Sequence, residues 1–131
     1  MLLIKTKLGL SKIHGIGLFA DNFIKKGTVI WKFNPLIDIY IPSETLRNLS
    51  RNSREQISNY IYMDKFHKKN LLCGDDARFF NHSFTPNCDD SLDGLTIAKK
   101  NIKSGEELTV NYYDFDKNAS KHFKKISDTI F

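Results

Sequence analysis

Apolar residues in this chain come in short runs that glycines, prolines and charged turns keep cutting off, and that pattern limits the fold more than any other feature. Runs of this length, rich in branched and aromatic side chains, suit short strands. Residues 2–8 ("LLIKTKL"), 29–33 ("VIWKF"), 60–63 ("YIYM"), 71–73 ("LLC"), 95–100 ("LTIAKK") and 108–113 ("LTVNYY") are predicted as strands. The last two, joined by the turn "NIKSGEE", are expected to form an antiparallel pair. Gly15 and Gly17 are expected to frame a tight apolar turn, and Gly27, after two lysines, a hairpin-like one. Helix is expected over 43–59, starting at Pro42-Ser43 and again at Ser53, with Gln56 at capping-box spacing, and from about 117 in the tail. The expectation is a mostly β chain of several small sheets with short helices.

A chain of 131 residues is the size of one domain, so residues 1–131 are expected to share a core. With 40% hydrophobic and 27% charged residues the composition is that of a folded chain, not a disordered one. The opening "MLLIKTKLGL" carries Lys5 and Lys7 and reaches neither a signal-peptide core nor a membrane span. An intracellular protein, cytoplasmic or nuclear, is expected, without a membrane; secretion into a host cell without an N-terminal signal peptide stays open. Cys73 and Cys88 read as free thiols. His67, Cys73, His82 and Cys88 match a zinc shell in number, but compact Cys-x-x-Cys pairs are missing and no metal is expected. The net charge of +5 favours acidic partners through long-range attraction, and is equally that of a merely soluble protein.

Three stretches concentrate the chemistry. In "HGIGLFA" the glycines can bare the backbone to a ligand, although a structural turn explains them as simply; the third glycine of a dinucleotide-binding loop is missing. In "RFFNHSFTPNC", Asn81 and His82 bring donors and acceptors that could grip a polar ligand while Phe79 or Phe80 anchors them, or could serve only local backbone groups. In "GEELTVNYYDFD" a strand would deliver Tyr112 and Tyr113 on opposite faces, one into a pocket, or leave both at the core edge. Serine-triad hydrolysis, paired glycosidase carboxylates and a nucleotide lysine loop find no support.

In content and order, "HGIGLFA" with "IKKGTVI", then "RFFNHSFTPNC", then "SGEELTVNYYDFD" resemble the SET-domain protein lysine methyltransferases. The resemblance covers residues 5–33 and 78–115, with 36–75 as a variable insert and 114–131 as a C-terminal tail. It implies a β-clip-like fold of small curved sheets with a pseudoknot-like C-terminal threading, a departure from the rule against threading. It also implies S-adenosylmethionine as cofactor, held by His14, Ile16, Gly17, Leu18, Arg78, Phe80, Asn81, His82, Tyr112 and Phe115, with Phe123 as a second choice for stacking on the adenine. Tyr112 would be the catalytic tyrosine, and Tyr60, Tyr62, Tyr112 and Tyr113 would line the channel for the substrate lysine. The substrate implied is a basic, histone-like tail, which would need local acid from Asp89, Asp90, Asp93 or Glu107.

Members with cysteine-rich zinc segments differ from this chain, whose residues 114–131 hold no cysteine. Cys88 is therefore expected to be a buried thiol packing as a hydrophobe. A tail helix with Phe123 and Ile126 three apart would cover the channels instead. The small size suggests a homodimer, as in minimal viral members of the family. Two other readings stand beside this one. A non-catalytic SET-like binding module would keep the fold without the reaction, and a small basic nucleic-acid-binding β domain would use "KFHKKN" and "KHFKK".

Overall fold

The structure of the protein is a computed structural model, and it describes residues 1–120. The tail expectations that rest on residues 121–131, including Phe123 and Ile126, lie outside the described residues.

Strands β1 (Thr6–Leu10) and β2 (Ile16–Ala20) form an antiparallel hairpin with Gly9 opposite Gly17. Its turn closes through the Ser11 amide donating to the Gly15 carbonyl at 2.8 Å, with Gly15 at φ +47°. The tight turn thus needs Gly15 alone; Gly17, expected to share it, lies inside β2. The first strand begins at Thr6 instead of residue 2, because Leu2 and Leu3 join the segment around Trp31: Leu2 bridges Trp31, and the Leu3 amide donates to the Ile30 carbonyl at 2.8 Å.

A three-stranded antiparallel sheet holds β3 (Val29–Lys32), and another begins with β4 (Ile39–Ile41). Between β4 and the next strand lie two short helices, α1 (Ser43–Arg47) and α2 (Arg51–Ile57). The second starts at Ser50, whose hydroxyl accepts from the Ser53 amide at 3.1 Å. Ser53 is therefore the capped residue, not the cap, and no box with Gln56 forms. Strands β5 (Ile61–Met63) and β6 (Asn70–Leu72) complete the second sheet in the order β4-β6-β5.

A 3-10 turn (Asp76–Phe79) leads into β7 (Asn81–His82), and β8 (Cys88–Leu92) and β9 (Leu95–Ala98) form a hairpin that joins β3 in the order β3-β9-β8. Strand β10 (Thr109–Val110) pairs with β7, and the pairing is parallel, with Asn81 opposite Thr109 and His82 opposite Val110. The expected antiparallel pair with 95–100 does not form, because both edges of β9 are already taken by β3 and β8. The connecting chain instead runs along the N-terminal half. Ile102 bridges Ile24, Glu107 bridges Phe19, and the Leu108 amide donates to the Leu18 carbonyl at 2.7 Å. The result is a mostly β fold of small sheets, as the resemblance implies, and no helix among the described residues is long and apolar enough to cross a membrane.

Leu18, Ile30, Cys88, Ile102, Leu108 and Val110 are fully buried in one apolar cluster, where each large side chain contributes about 1.5–3 kcal/mol. A second cluster gathers Trp31, Leu71, Cys73 and Ala77. Cys88 packs as the expected hydrophobe, and both cysteines are free thiols in different clusters. Near the second cluster the chain crosses itself tightly. Asp38, 1% exposed, accepts from the Asn34 amide at 2.9 Å and the Gly74 amide at 3.2 Å. A Cβ on Gly74 would collide with the backbone carbonyl of Ile37. Gly74→Ala should therefore lower the unfolding free energy by about 3 kcal/mol, read from urea denaturation. A midpoint equal to that of the parent protein would contradict this crossing.

Candidate functional site

The parallel β7–β10 pair brings residues from four parts of the chain around one cavity of about 500 Å³. The β1–β2 turn supplies His14 and Ile16, and the stretch entering β7 supplies Arg78, Phe80 and Asn81. Tyr60 and Tyr62 come from around β5, and Tyr112, Phe115 and Asp116 from the chain after β10. Trp31, Cys73, Asp90 and Thr96 line it as well. Two backbone bonds tie the last segment to β5: Lys65 N to the Phe115 carbonyl and Lys117 N to the Met63 carbonyl, both 2.8 Å. They set the Phe115 ring edge-on to Tyr62, with centroids 4.8 Å apart.

A part-buried polar clip joins the β1–β2 turn and β7 to the chain just before β10. The Asn81 side-chain amide donates to the His14 carbonyl at 3.0 Å, the Ile16 carbonyl at 3.3 Å and Glu107 Oε2 at 2.9 Å. Ser11 Oγ donates to the same carboxylate at 2.8 and 2.9 Å, and accepts from the amides of Ile13 and His14. Gly17 makes room for it, since a Cβ there would lie 2.6 Å from Glu107 Oε2. Behind the clip, Asn87 Nδ2 donates to the Glu107 carbonyl at 2.8 Å and Asn87 Oδ1 accepts from the Thr109 amide at 2.9 Å, fixing where β10 begins.

Tyr112 opens a 3-10 turn (Tyr112–Asp114) whose start is capped by Asn111, the side-chain oxygen accepting from the Tyr113 amide at 3.1 Å. The strand expected over 108–113 thus ends at Val110, and the two tyrosines part company at a turn. The Tyr112 amide donates to His82 Nδ1 at 3.1 Å, and its hydroxyl donates to the Phe80 carbonyl at 2.9 Å. Burial pushes the His82 pKa down, so the ring stays neutral and its Nδ1 can accept. Burial pushes the Tyr112 phenol up, with Asp116 and Glu107 adding to the effect, so it keeps its proton.

His14, Ile16, Tyr60, Tyr62, Arg78, Phe80, Asn81, Tyr112 and Phe115 all line the cavity where the sequence placed them in a site. Gly17, Leu18 and His82 stand behind the wall: Gly17 accommodates the clip, Leu18 is fully buried in the core, and His82 holds the Tyr112 backbone. Tyr113 does not line the cavity; it is 44% exposed and its ring stacks on Phe84 with centroids 6.0 Å apart. Of the four acids proposed to face a basic tail, three are engaged elsewhere. Asp89 accepts from Ser91, Asp93 lies 3.0 Å from His67 Nε2, and Glu107 sits in the clip. Asp90 alone of the four lines the cavity. Among the described residues, Asp64, His67 and Asp93 are the one group whose ligand-type atoms converge, so the set of His67, Cys73, His82 and Cys88 is not assembled.

Trp31, Thr96 and Asp116 line the cavity without being expected there, and Cys73 reads in the sequence only as a thiol or zinc ligand. For Thr96 a signal existed: Asp93-Gly94 is a hairpin turn pair, and a hairpin there brings Thr96 toward Asp90. The clip makes its own forecast. Gly17→Ala should displace the Glu107 carboxylate and cost about 2 kcal/mol of stability, with faster hydrogen exchange at the Leu108 amide. Unchanged stability and exchange would mean that the carboxylate has room to spare.

The SET domain family model matches residues 15–113. Human Histone-lysine N-methyltransferase 2D is 32% identical over 132 residues, covering 87% of this chain and 2% of that protein. The Schizosaccharomyces pombe Histone-lysine N-methyltransferase, H3 lysine-36 specific, is 30% identical over 119 residues, covering 82% of this chain and 14% of that protein. The chain thus spans a small fraction of the length of these curated relatives. The solved structure "ctPRC2 in an autoinhibited conformation bound to S-adenosylmethionine" superposes with a TM-score of 0.65 at 24% identity, over 93% of this chain and 17% of that one, a likeness of fold. With the family model matching well over half of it, the chain belongs to the SET domain family.

Proposed function

We propose that this chain transfers a methyl group from S-adenosylmethionine to the side-chain amine of a protein lysine, with histone tails as the substrate class. The observation that carries the proposal is the convergence of Asn81, Tyr112 and the His14–Ile16 backbone on one cavity walled largely by aromatic rings. The histone-lysine methyltransferases among the relatives support the substrate class.

The cavity suits the cofactor by size and by donor set. A volume of about 500 Å³ lies inside the usual range for small-molecule sites. The Arg78 guanidinium, over the rings of Tyr60 and Phe79 at 5.1 and 5.3 Å, offers a fixed positive charge for a carboxylate. Phe115 offers an aromatic surface for a flat base, and the His14–Ile16 main chain, pinned by Asn81, offers polar backbone groups. When bound, S-adenosylmethionine supplies a methyl group made electrophilic by its sulfonium.

The chain's own contribution is mainly to align and to exclude water. A lysine ammonium, with an ordinary pKa near 10.4, has no lone pair to offer, and a cavity lined by Trp31, Tyr62 and Phe115 favours its neutral form by desolvation. Tyr112 spends its proton on the Phe80 carbonyl. Its oxygen therefore keeps lone pairs to accept from the amine and to face the positive charge on the moving methyl. His82 fixes that oxygen in place through the Tyr112 backbone.

Incubation with labelled S-adenosylmethionine and a panel of histones and cell lysate, followed by mass spectrometry of the modified residue, should show methylated lysine. Label found on no protein would defeat the proposal. Tyr112→Phe should lower turnover by about 100-fold or more while S-adenosylmethionine affinity by calorimetry stays within about threefold. Parental turnover in that variant would remove Tyr112 from the reaction.

A further inference from the structure

Asp90 is the anomaly of the cavity. It lies on β8, half-buried, in a wall shared with Trp31, Tyr62, Cys73 and Thr96. Thr96 Oγ1 donates to its Oδ1 at 2.7 Å, and its Oδ2 accepts no hydrogen bond from the described residues. A carboxyl placed among rings and a thiol without a cation against it is costly to ionise, and the threonine bond fixes its direction. The groups acting on it come from several elements. Asp89 is its neighbour on β8, Asp64 follows β5, and Asp114 belongs to the turn after β10. Tyr62 and Cys73, each within its field, are held protonated mainly by their own burial. Cys88, two residues earlier on β8, is likewise protonated, and Arg78 and Asp116 line the same cavity. Burial first, then the three neighbouring carboxylates, push the Asp90 pKa up to about 7 against the opposing Thr96 bond. The group thus changes charge in the neutral range, whereas an ordinary aspartate is ionised throughout it.

We propose that Asp90 receives the ammonium group of the entering lysine and takes its proton, a role that rests on the lysine-methylation reading of the cavity. The ionised carboxylate pairs with the ammonium as the chain enters. One proton then moves from nitrogen to a carboxylate oxygen, leaving a neutral carboxylic acid and an amine with a free lone pair. The nitrogen forms its bond to the methyl carbon as the carbon–sulfur bond breaks, the bonding pair going to sulfur. The carboxylic acid releases its proton to solvent before the next turnover. Asp90 also accounts for specificity of charge, since an uncharged side chain of the same length would leave the carboxyl without a cation.

The test follows the Asp90 carboxyl directly, by ¹³C NMR titration of protein labelled at aspartate carbonyl-side carbons, with Asp90→Asn and Asp90→Ser to assign the signal. The probe is n-butylammonium chloride, with n-pentanol as the uncharged control of similar length. The expected result is a midpoint near 7 in the free protein that falls by about one unit or more with n-butylammonium and does not fall with n-pentanol, since a cation beside the carboxyl favours its charged form. An equal midpoint with and without n-butylammonium overturns the proposal. No methyl donor enters this titration, so its failure strikes Asp90 alone. A parental protein that titrates as expected yet labels no protein would strike the methyl-transfer reading instead. In the methylation assay, the rate of the parental protein should rise with pH and level off above about 7 as Asp90 ionises, and in Asp90→Asn the levelling-off should move to higher pH, where the lysine loses its own proton. A rise of the same shape in Asp90→Asn would also overturn the proposal.

Discussion

The site depends on one half-buried carboxylate. Glu107 accepts from Asn81 and Ser11 at 2.8–2.9 Å in the space that Gly17 leaves open, and through Asn81 it reaches the carbonyls of His14 and Ile16. Segments separated by more than sixty residues are thereby held at hydrogen-bond distance. A partly satisfied network of this kind would cost more than an apolar one, so its full set of partners gives the crossing a unique geometry.

From that crossing the rest of the cavity follows. Because β10 must lie parallel to β7, Val110 enters the core and the chain turns immediately afterwards, which places Tyr112 against His82 and the Phe80 carbonyl. The same turn sends Phe115 back onto Tyr62, and two backbone bonds to the β5 region hold it there. The hairpin β8–β9 contributes Asp90 and Thr96 from another sheet, so acid, phenol and rings meet without any one element carrying the site. Polar groups are handled by position: the Asn81 amide and Ser11 hydroxyl donate to the Glu107 carboxylate, whereas Asp90 faces aromatic groups and is pushed toward its neutral form.

Much of this was legible in the sequence because the informative residues are adjacent in it. Asn81-His82 and the Gly-Glu-Glu stretch announce a site, and short branched runs announce small strands. What escaped was set by long-range packing. Nothing local marks Gly17 as a strand residue; its need arises from a carboxylate ninety residues away. The expected antiparallel pairing of β10 with 95–100 fails because local alternation cannot show that both edges of β9 are occupied. Tyr113, expected beside Tyr112 in the lysine channel, lies outside the cavity because Asn111 caps a turn between strand and tail. Cys73 and Trp31 carry no motif and join the cavity only because the second cluster abuts it.

The most direct test is a double-mutant cycle between Asn81 and Glu107, each changed to Ala, read as S-adenosylmethionine affinity by calorimetry. If the two side chains act as a single clip, the double variant binds the cofactor no more weakly than the worse of the two single variants. Losses that multiply would show two independent contributions and would contradict the account.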